Sequence, residues 1–320
     1  MNLSLLYENL TNPALLFFVL GIIAVYLKSD LEIPPNSSKF ISLYLLFSIG
    51  FKGGQELSHE AFSSEIAWSM LFGISISALI PIYTFFILKT RLNVYDAGAI
   101  AAAYGSVSAV TFVTAVSYLE SQQLSLHGHM VAIMALMESP AIIIGLVLIS
   151  MFSPEESGAI SKRTVIRHSL TNGSVLLILG SLVIGYLAND KQAEGIKPFT
   201  NDLFKGFLAI FLLDMGITSG KKLKAFFSFG WFPFIFAMLI PLVNGTIFAL
   251  LSSLVTDDIT NRFIFAVLAA SASYIAVPAA MKITVPKANP GLYLPMALAV
   301  TFPVNITIGM PLYYYIVQNF

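Results

Sequence analysis

The sequence predicts an all-α integral membrane protein with about ten transmembrane helices in two inverted five-helix repeats. Three observations predict this class. The chain is 57% hydrophobic and only 11% charged, whereas soluble domains carry roughly 25% charged residues. Apolar runs of about 20 residues, long enough to cross the hydrocarbon core of a bilayer, recur from end to end. The two halves of the chain also share matching segments in the same order.

Ten apolar runs, separated by Gly, Pro and charged residues, are the predicted spans. The second run is short and is interrupted by glycines. The spans are 13–28, 40–57, 66–89, 94–118, 127–151, 173–188, 200–219, 226–255, 262–283 and 290–317.

The distribution of Lys and Arg predicts the orientation of the chain. One set of connections holds twelve of the 17 basic residues, including the cluster of Lys221, Lys222 and Lys224, and the other set holds five. In most membrane proteins the side rich in Lys and Arg faces the cytoplasm. We therefore expect a multi-pass protein with both termini outside, and the lysine cluster as a topology anchor near the lipid headgroups.

Composition excludes several other classes. The chain has no cysteine, so disulfides, thiol catalysis and cysteine-based metal sites are excluded. The net charge is zero, which gives no sign of nucleic-acid binding. The N-terminal stretch lacks a basic region and a cleavage site, so we expect the first span to stay in the mature protein. We expect no cofactor, and an enzyme is the least favoured class because we find no nucleophile–base constellation.

The internal repeat gives the domain organisation. The matched segments, in order, are 10–30 with 170–190, 47–57 with 213–223, 79–81 with 239–241, 105–111 with 271–277 and 138–140 with 301–303. Chance similarity between apolar sequences is the alternative, but the matched Thr, Asn, Gly, Pro and Ser residues do not set hydropathy. An odd number of spans per repeat inverts the second copy, and inverted repeats are typical of secondary transporters. We therefore predict a first repeat at 1–155, a short cytoplasmic connector at 156–172 and a second repeat at 173–320.

Two clusters of small polar residues lie in the middle of predicted spans. The fourth span contains GSVSAVT at 105–111, and the ninth contains SASY at 271–274 with Pro278 close behind. Gly and Pro weaken helices, and backbone groups freed inside a membrane need partners or a polar cavity. A broken helix exposes N–H groups that suit an anion and carbonyls that suit a cation such as sodium. The clusters predict a joint anion and cation site, with close helix packing as the alternative.

Glu138 is the most informative single residue. It lies within the fifth span, in ALMESPAIIIG, with no basic residue in the same run. A charged carboxylate at the bilayer centre costs about 2.5–3.5 kcal/mol on insertion scales. Glu138 is therefore predicted to be a cation ligand or, alternatively, a structural, hydrogen-bonded carboxylate.

Three other polar residues fall in or beside spans. Asp214 is a second intramembrane acid, for which we weigh pairing with Lys52 or Lys205 or capping of a turn near its own position. His127 and His129 begin the fifth span without an acid at ligand spacing, so we expect loop residues. None of these residues is assigned to the binding site.

The same segments carry a family resemblance. GSVSAVT at 105–111, YLES at 118–121, MESPA at 137–141 and LDMG at 213–216 occur with AASAS at 269–273 and VPKANPGLY at 285–293. Together they resemble the sodium-dependent bicarbonate transporters of the cyanobacterial SbtA type, in order over nearly the whole chain. The Ala-Asn-Pro element at 288–290 is the most specific piece.

The resemblance implies a fold and a set of partners. Members are ten-helix inverted repeats, generally trimeric, in which a core of spans 3–5 and 8–10 moves against a scaffold of spans 1, 2, 6 and 7 by an elevator mechanism. It implies bicarbonate as substrate, sodium as the co-transported ion and the bacterial inner (plasma) membrane as the location. Members can be inhibited by a PII-like protein, so a cytoplasmic regulator of that kind is a further partner to test.

The resemblance also assigns site residues. The substrate-binding residues are Ser106, Ser108, Ala109, Thr111, Ala272 and Ser273, and the sodium-binding residues are Ser108, Glu138, Ser271 and Ser273. Three departures from the family pattern affect polar groups of the site. Glu138 stands where the family has Asp, and Tyr274 and Ala276 stand where it has Asp and Ser. These departures bear on the identity of the anion and on the number of coupled cations.

The predicted function is sodium-coupled bicarbonate symport. Within transport, the alternatives are another small monovalent anion, proton coupling through Glu138, or cation/proton antiport. From another class, a membrane sensor that binds the ligand without moving it is the alternative.

Overall fold

The computed structural model describes residues 12–60, 63–153 and 173–320, and these are helical with no strand among them. The predicted connector at 156–172 lies outside the described residues, as do the first residues of the matched segments at 10 and 170. Fifteen α-helices are numbered here in chain order: α1 Pro13–Tyr26, α2 Pro35–His59, α3 Ser64–Lys89, α4 Val94–Gly105, α5 Ala109–Ser121, α6 Gly128–Phe152, α7 Gly173–Leu187, α8 Asp190–Lys197, α9 Phe204–Phe226, α10 Trp231–Leu251, α11 Ile259–Ala270, α12 Ala276–Thr284, α13 Pro290–Pro295, α14 Phe302–Val304 and α15 Met310–Asn319.

Six helical segments of the described chain are long and apolar enough to cross a membrane: Ser64–Lys89, Val94–Ser121, Gly128–Phe152, Asp190–Leu223, Trp231–Leu254 and Pro290–Asn319. Three shorter apolar helices accompany them: Leu15–Tyr26, Leu176–Leu187 and Ile259–Ala270. The outer helices expose large apolar side chains, among them Leu16 on α1, Trp68 on α3 and Leu239 on α10. Such surfaces suit lipid, and the protein is a multi-pass membrane protein.

Polar residues set the ends of several helices as the sequence pattern suggests. The Ser63 side chain caps α3 by accepting a hydrogen bond from the Ile66 amide. The Asn93 side chain caps α4 in the same way by accepting one from the Asp96 amide. Side-chain caps of this kind satisfy N–H groups that lack partners in the first turn. The last segment, Pro290–Asn319, is less regular, because π-helical turns at Met296–Thr301 and Asn305–Gly309 interrupt it.

Helices α1, α2, α7 and α9 pack as two close pairs. Helix α2 lies along α7, and α1 lies along α9. Glycines allow this approach: a Cβ at Gly50 on α2 would lie 2.7 Å from the Ile178 carbonyl oxygen, and one at Gly216 on α9 would lie 2.0 Å from that of Phe18. The two contacts join residues at matching positions of the aligned segments. In each pair, one helix comes from each half of the chain.

The remaining long helices form two further groups. Helices α3, α4 and α6 pack together, and so do α10, α11 and α15. The short helices α5 and α12 follow α4 and α11 across interruptions of the fourth and ninth predicted spans. These interruptions lie where the two groups meet, and they form the candidate site.

Candidate functional site

The first interruption separates α4 from α5. Helix α4 ends at Gly105, and Ser106 and Ser108 have extended backbone conformations before α5 begins at Ala109. The Ser108 hydroxyl caps α5 by accepting a hydrogen bond from the Thr111 amide at 3.2 Å. The cap fixes the break at this position and leaves the start of α5, the positive end of its dipole, directed at the interruption.

The second interruption separates α11 from α12. Helix α11 ends at Ala270, Ser271 is extended, and α12 begins at Ala276. The Ser273 hydroxyl accepts a hydrogen bond from the Val277 amide at 3.3 Å. Serine thus stands at the start of the second half-helix in both interruptions, because its hydroxyl can satisfy an N–H group that has no partner in the helix.

Two direct hydrogen bonds join the interruptions. The Ser108 amide donates to the Ser271 hydroxyl at 3.1 Å. The Ser273 amide donates to the Ala103 carbonyl at 2.8 Å. Each interruption therefore satisfies a backbone group of the other, which removes part of the cost of unpaired backbone inside the membrane. The structure places the two breaks side by side.

A small cavity of about 20 Å³ opens at this junction. A cavity needs about 10–15 Å³ to hold one water molecule, so the space suits a single monatomic ion better than a four-atom anion. The residues that line it are Leu46, Val107, Ser108, Ala109, Met134, Glu138, Ile178, Ser273, Tyr274, Ile275 and Ala276.

Glu138 reaches this cavity from α6, two residues before Pro140. Among the described residues, it has no hydrogen-bond or ion-pair partner. A carboxylate without a partner inside the membrane requires a cation, a proton or water. The structure thus leaves the Glu138 carboxylate available to a ligand in the cavity.

The other assigned residues are buried and do not line the cavity. The Ser271 hydroxyl donates to the Leu268 carbonyl at 2.8 Å and accepts from the Ser108 amide at 3.1 Å. The hydroxyl groups of Ser106 and Thr111 are buried, and in the described chain neither has a hydrogen-bond partner. Ala272 is also buried. Of the assigned residues, Ser108, Ala109, Ser273 and Glu138 line the cavity, and Ser106, Thr111, Ser271 and Ala272 do not.

The sequence analysis assigned five apolar residues of the cavity wall to no site: Leu46, Val107, Met134, Ile178 and Ile275. Leu46 comes from α2 and Ile178 from α7, the helices that form one close pair. An apolar side chain in an apolar span carries no signal that separates a site wall from a lipid-facing surface, so no sequence feature identified them. Leu46 and Ile178 show that the cavity lies at the boundary between this pair and the interrupted helices.

The contacts of Asp214 differ from both arrangements weighed from the sequence, which were pairing with Lys52 or Lys205 and capping of a turn. The Asp214 carboxylate accepts a hydrogen bond from the Ser38 hydroxyl. Lys52 instead pairs with Glu120 at the end of α5, at 2.8 Å, and Lys205 approaches the same carboxylate at 3.7 Å. Glu120 therefore links α5 to residues of α2 and α9.

His127 and His129 belong to a cluster of histidines and carboxylates; the loop expectation is confirmed for His127, which precedes α6, and is wrong for His129. His129 is a buried residue of α6, and its Nδ1 lies 2.8 Å from the Glu60 carboxylate. His127 immediately precedes the same helix, and its ring nitrogens lie 3.5 Å from the Asp258 carboxylate and 3.4 Å from the Glu60 carboxylate. The hydrogen bond to Asp258 and the two negative charges raise the pKa of His127. Burial raises the pKa of Asp258, but the hydrogen bonds from His127 and the Asn261 amide outweigh burial and hold this pKa below its usual value.

The chain matches a known protein family over nearly its whole length. Residues 13–318 match the family model described as the Na+-dependent bicarbonate transporter superfamily. No curated protein matches the sequence.

Proposed function

Because the chain belongs to the Na+-dependent bicarbonate transporter superfamily, we propose that it is a symporter that couples sodium to bicarbonate at the junction of the two helix breaks. The observation that carries the proposal is the cavity itself. Ser108 and Ser273, one from each break, line it together with the carboxylate of Glu138, for which the described residues supply no partner. Hydroxyls, helix starts and a carboxylate form a site that suits an anion and a cation together.

Electrostatics gives the coupling. Two unit charges 4 Å apart interact by about 4 kcal/mol at an effective dielectric constant of about 20. Bicarbonate beside a charged Glu138 would be repelled on this scale, and sodium bound to the carboxylate would convert the repulsion into attraction. Sodium should therefore bind first or together with the anion. The anion would then meet the N–H groups at the starts of α5 and α12, which carry positive partial charge.

The assigned residues then fall into two roles. Sodium is held by Glu138, with the Ser108 and Ser273 hydroxyls beside it. Ser271 would act through its hydrogen bond to the Ser108 amide rather than by contact with the ion. The small cavity must widen before bicarbonate reaches the more deeply placed Ser106, Thr111 and Ala272. Such widening fits a site that alternates between conformations.

Movement of the site is proposed to follow an elevator mechanism on ten spans in two inverted repeats, 1–155 and 173–320. The matching glycine contacts of Gly50 and Gly216 support the repeat, because each joins one half of the chain to the other in the same way. The close pairs α2–α7 and α1–α9 would form the scaffold. The packed groups around the breaks would form the moving core, with the apolar wall of Leu46 and Ile178 as the barrier. Trimeric assembly and a PII-like regulator stay predictions.

The test is uptake of radiolabelled bicarbonate into proteoliposomes in sodium or in choline. We expect uptake to require sodium, and Glu138→Gln to weaken sodium dependence at least about tenfold, since loss of a partner from a buried charge pair costs 2–5 kcal/mol. Glu194→Gln is the matched control, because Glu194 is exposed and pairs with Lys197 on the surface helix α8. Sodium-independent uptake driven by a proton gradient would contradict sodium symport. Bicarbonate binding without flux would instead indicate a sensor.

A further inference from the structure

The carbonyl end of α11, in the second break, is closed by two buried asparagines. The Asn305 amide group donates to the Ala270 carbonyl at 2.7 Å, and the Asn244 amide group donates to the Ala269 carbonyl at 3.2 Å. Both asparagines are almost inaccessible to solvent. The last carbonyls of a helix lack partners within the helix and carry the negative end of its dipole. In this break, protein amides already satisfy two of them.

The orientation of both asparagines is fixed by tyrosines. The Tyr313 hydroxyl lies 3.0 Å from the Asn305 carbonyl oxygen and 3.0 Å from the Pro241 carbonyl oxygen, which share its one proton, and the Tyr83 hydroxyl donates to the carbonyl oxygen of Asn244. With the side-chain oxygen engaged, each NH₂ group must point at the helix carbonyls. Buried networks in which every member has a partner hold one geometry firmly.

The backbone around Asn305 is also unusual. A π-helical stretch begins at this residue, Asn305–Gly309, and another covers Met296–Thr301 on the preceding turn. π-Helical turns inside helices are uncommon and are often found at functional sites. The irregular backbone and the buried amide contact therefore occur at the same residue.

The first break is not closed in this way. Asn305 lies four residues after Thr301, and the matching position, four residues after Glu138, is the apolar Ile142. Asn244 lies three residues after Pro241, and the matching Thr84 donates to the Ile80 carbonyl of its own helix at 2.6 Å. At the end of α4, the Ala103 carbonyl accepts the Ser273 backbone amide at 2.8 Å, but neither matching residue brings a side-chain amide there. Instead, Glu138 lines the cavity there.

We propose that Asn305 and Asn244 are positioning residues that replace a cation at the second break, so that one sodium, held by Glu138, accompanies each bicarbonate. This inference rests on the proposed function and adds its stoichiometry. The amide donors supply the positive partial charge that a second sodium would otherwise bring to the carbonyls of α11. One sodium and one monovalent anion carry no net charge, so each transport cycle is electroneutral.

The wild-type protein tests the stoichiometry directly. The uptake of radiolabelled bicarbonate into proteoliposomes is measured at a series of external sodium concentrations. The measurement is repeated with a potassium diffusion potential imposed with valinomycin. We expect a Hill coefficient of about 1 for sodium and the same uptake rate with and without the potential. A Hill coefficient of about 2 with potential-driven uptake would overturn the inference and leave the proposed function standing. Absence of any sodium-dependent uptake would overturn the proposed function and the inference with it.

An Asn305→Asp variant provides the second arm. A carboxylate facing the Ala270 carbonyl needs a positive partner, so a second sodium or a proton should move with each bicarbonate. Uptake should then depend on the imposed potential, a readout that a merely structural role for Asn305 would not change. Asn319→Asp is the matched control, because Asn319 is exposed in the same helical segment and bonds only its own helix. An Asn305→Asp protein that folds and transports without potential dependence would overturn the inference; if this variant does not fold, the wild-type measurement decides.

Discussion

The contact of Gly216 with α1 gives a prediction whose size follows from the geometry. A Cβ at Gly216 would lie 2.0 Å from the Phe18 carbonyl oxygen and 3.1 Å from the Cα of Gly21. Carbon and oxygen in close contact normally stay about 3.3 Å apart, so Gly216→Ala must separate the two helices by about 1.3 Å. Overpacking of this kind costs about 1–3 kcal/mol, against a gain of about 0.5–1 kcal/mol when alanine replaces glycine in a helix.

We therefore expect Gly216→Ala to lower the stability of the protein by about 1–2 kcal/mol. The assay is thermal denaturation in detergent, followed by circular dichroism. Gly180→Ala is the control, because nothing lies within 4 Å of a Cβ at Gly180 on α7. The control variant should be as stable as the wild type or more stable, by up to about 1 kcal/mol. Equal stability of the two variants would refute the close packing of α1 on α9.

Two further predictions concern charged contacts at the helix ends. The contacts of His127 with Asp258 and Glu60 raise its pKa, so their stabilisation is complete below the ordinary pKa and is lost as the pH rises through the raised value. His127→Gln should therefore be less thermostable than the wild type at about pH 6 and equal to it at about pH 9. The chain has no cysteine, so Lys52→Cys and Glu120→Cys can be joined by a cleavable bifunctional thiol reagent. If α5 moves relative to α2, cross-linking should stop uptake and cleavage should restore it.

The results that would contradict these predictions are distinct. A stability difference at His127 that is the same at both pH values would exclude the charged pair as its source. Full uptake by the cross-linked protein would show that α2 and α5 keep their relative position during transport. The uncross-linked double variant is the control for the second experiment.

Local features of the sequence were enough to predict the helical membrane class, the family and the places where helices break. Hydropathy identifies apolar segments because the bilayer sets their length. The Gly and Ser cluster before Ala109 marks a break because a serine hydroxyl satisfies a backbone donor there. Glu138 was predicted to lack a basic partner in its own span, and the structure supplies none from the other described residues.

The sequence could not predict the pairing of helices or the roles of single hydroxyls. Lipid-facing and protein-facing apolar residues look alike in sequence, so Leu46 and Ile178 were not recognised as walls of the cavity. Ser271 and Ser273 are two residues apart and of the same type, but only the second lines the cavity, because the hydroxyl of the first is held by the Leu268 carbonyl. Asn305 was missed because its partner, the end of α11, is distant in the chain.

The central claim is that two broken helices share one binding cavity beside Glu138, and its most direct test is an experimental structure determined with sodium and bicarbonate and again with choline chloride. The account predicts density for a bound ion between Ser108, Ser273 and the Glu138 carboxylate in the first condition and its loss in the second. Unchanged density in choline, or ligand density elsewhere while this cavity stays empty, would contradict it.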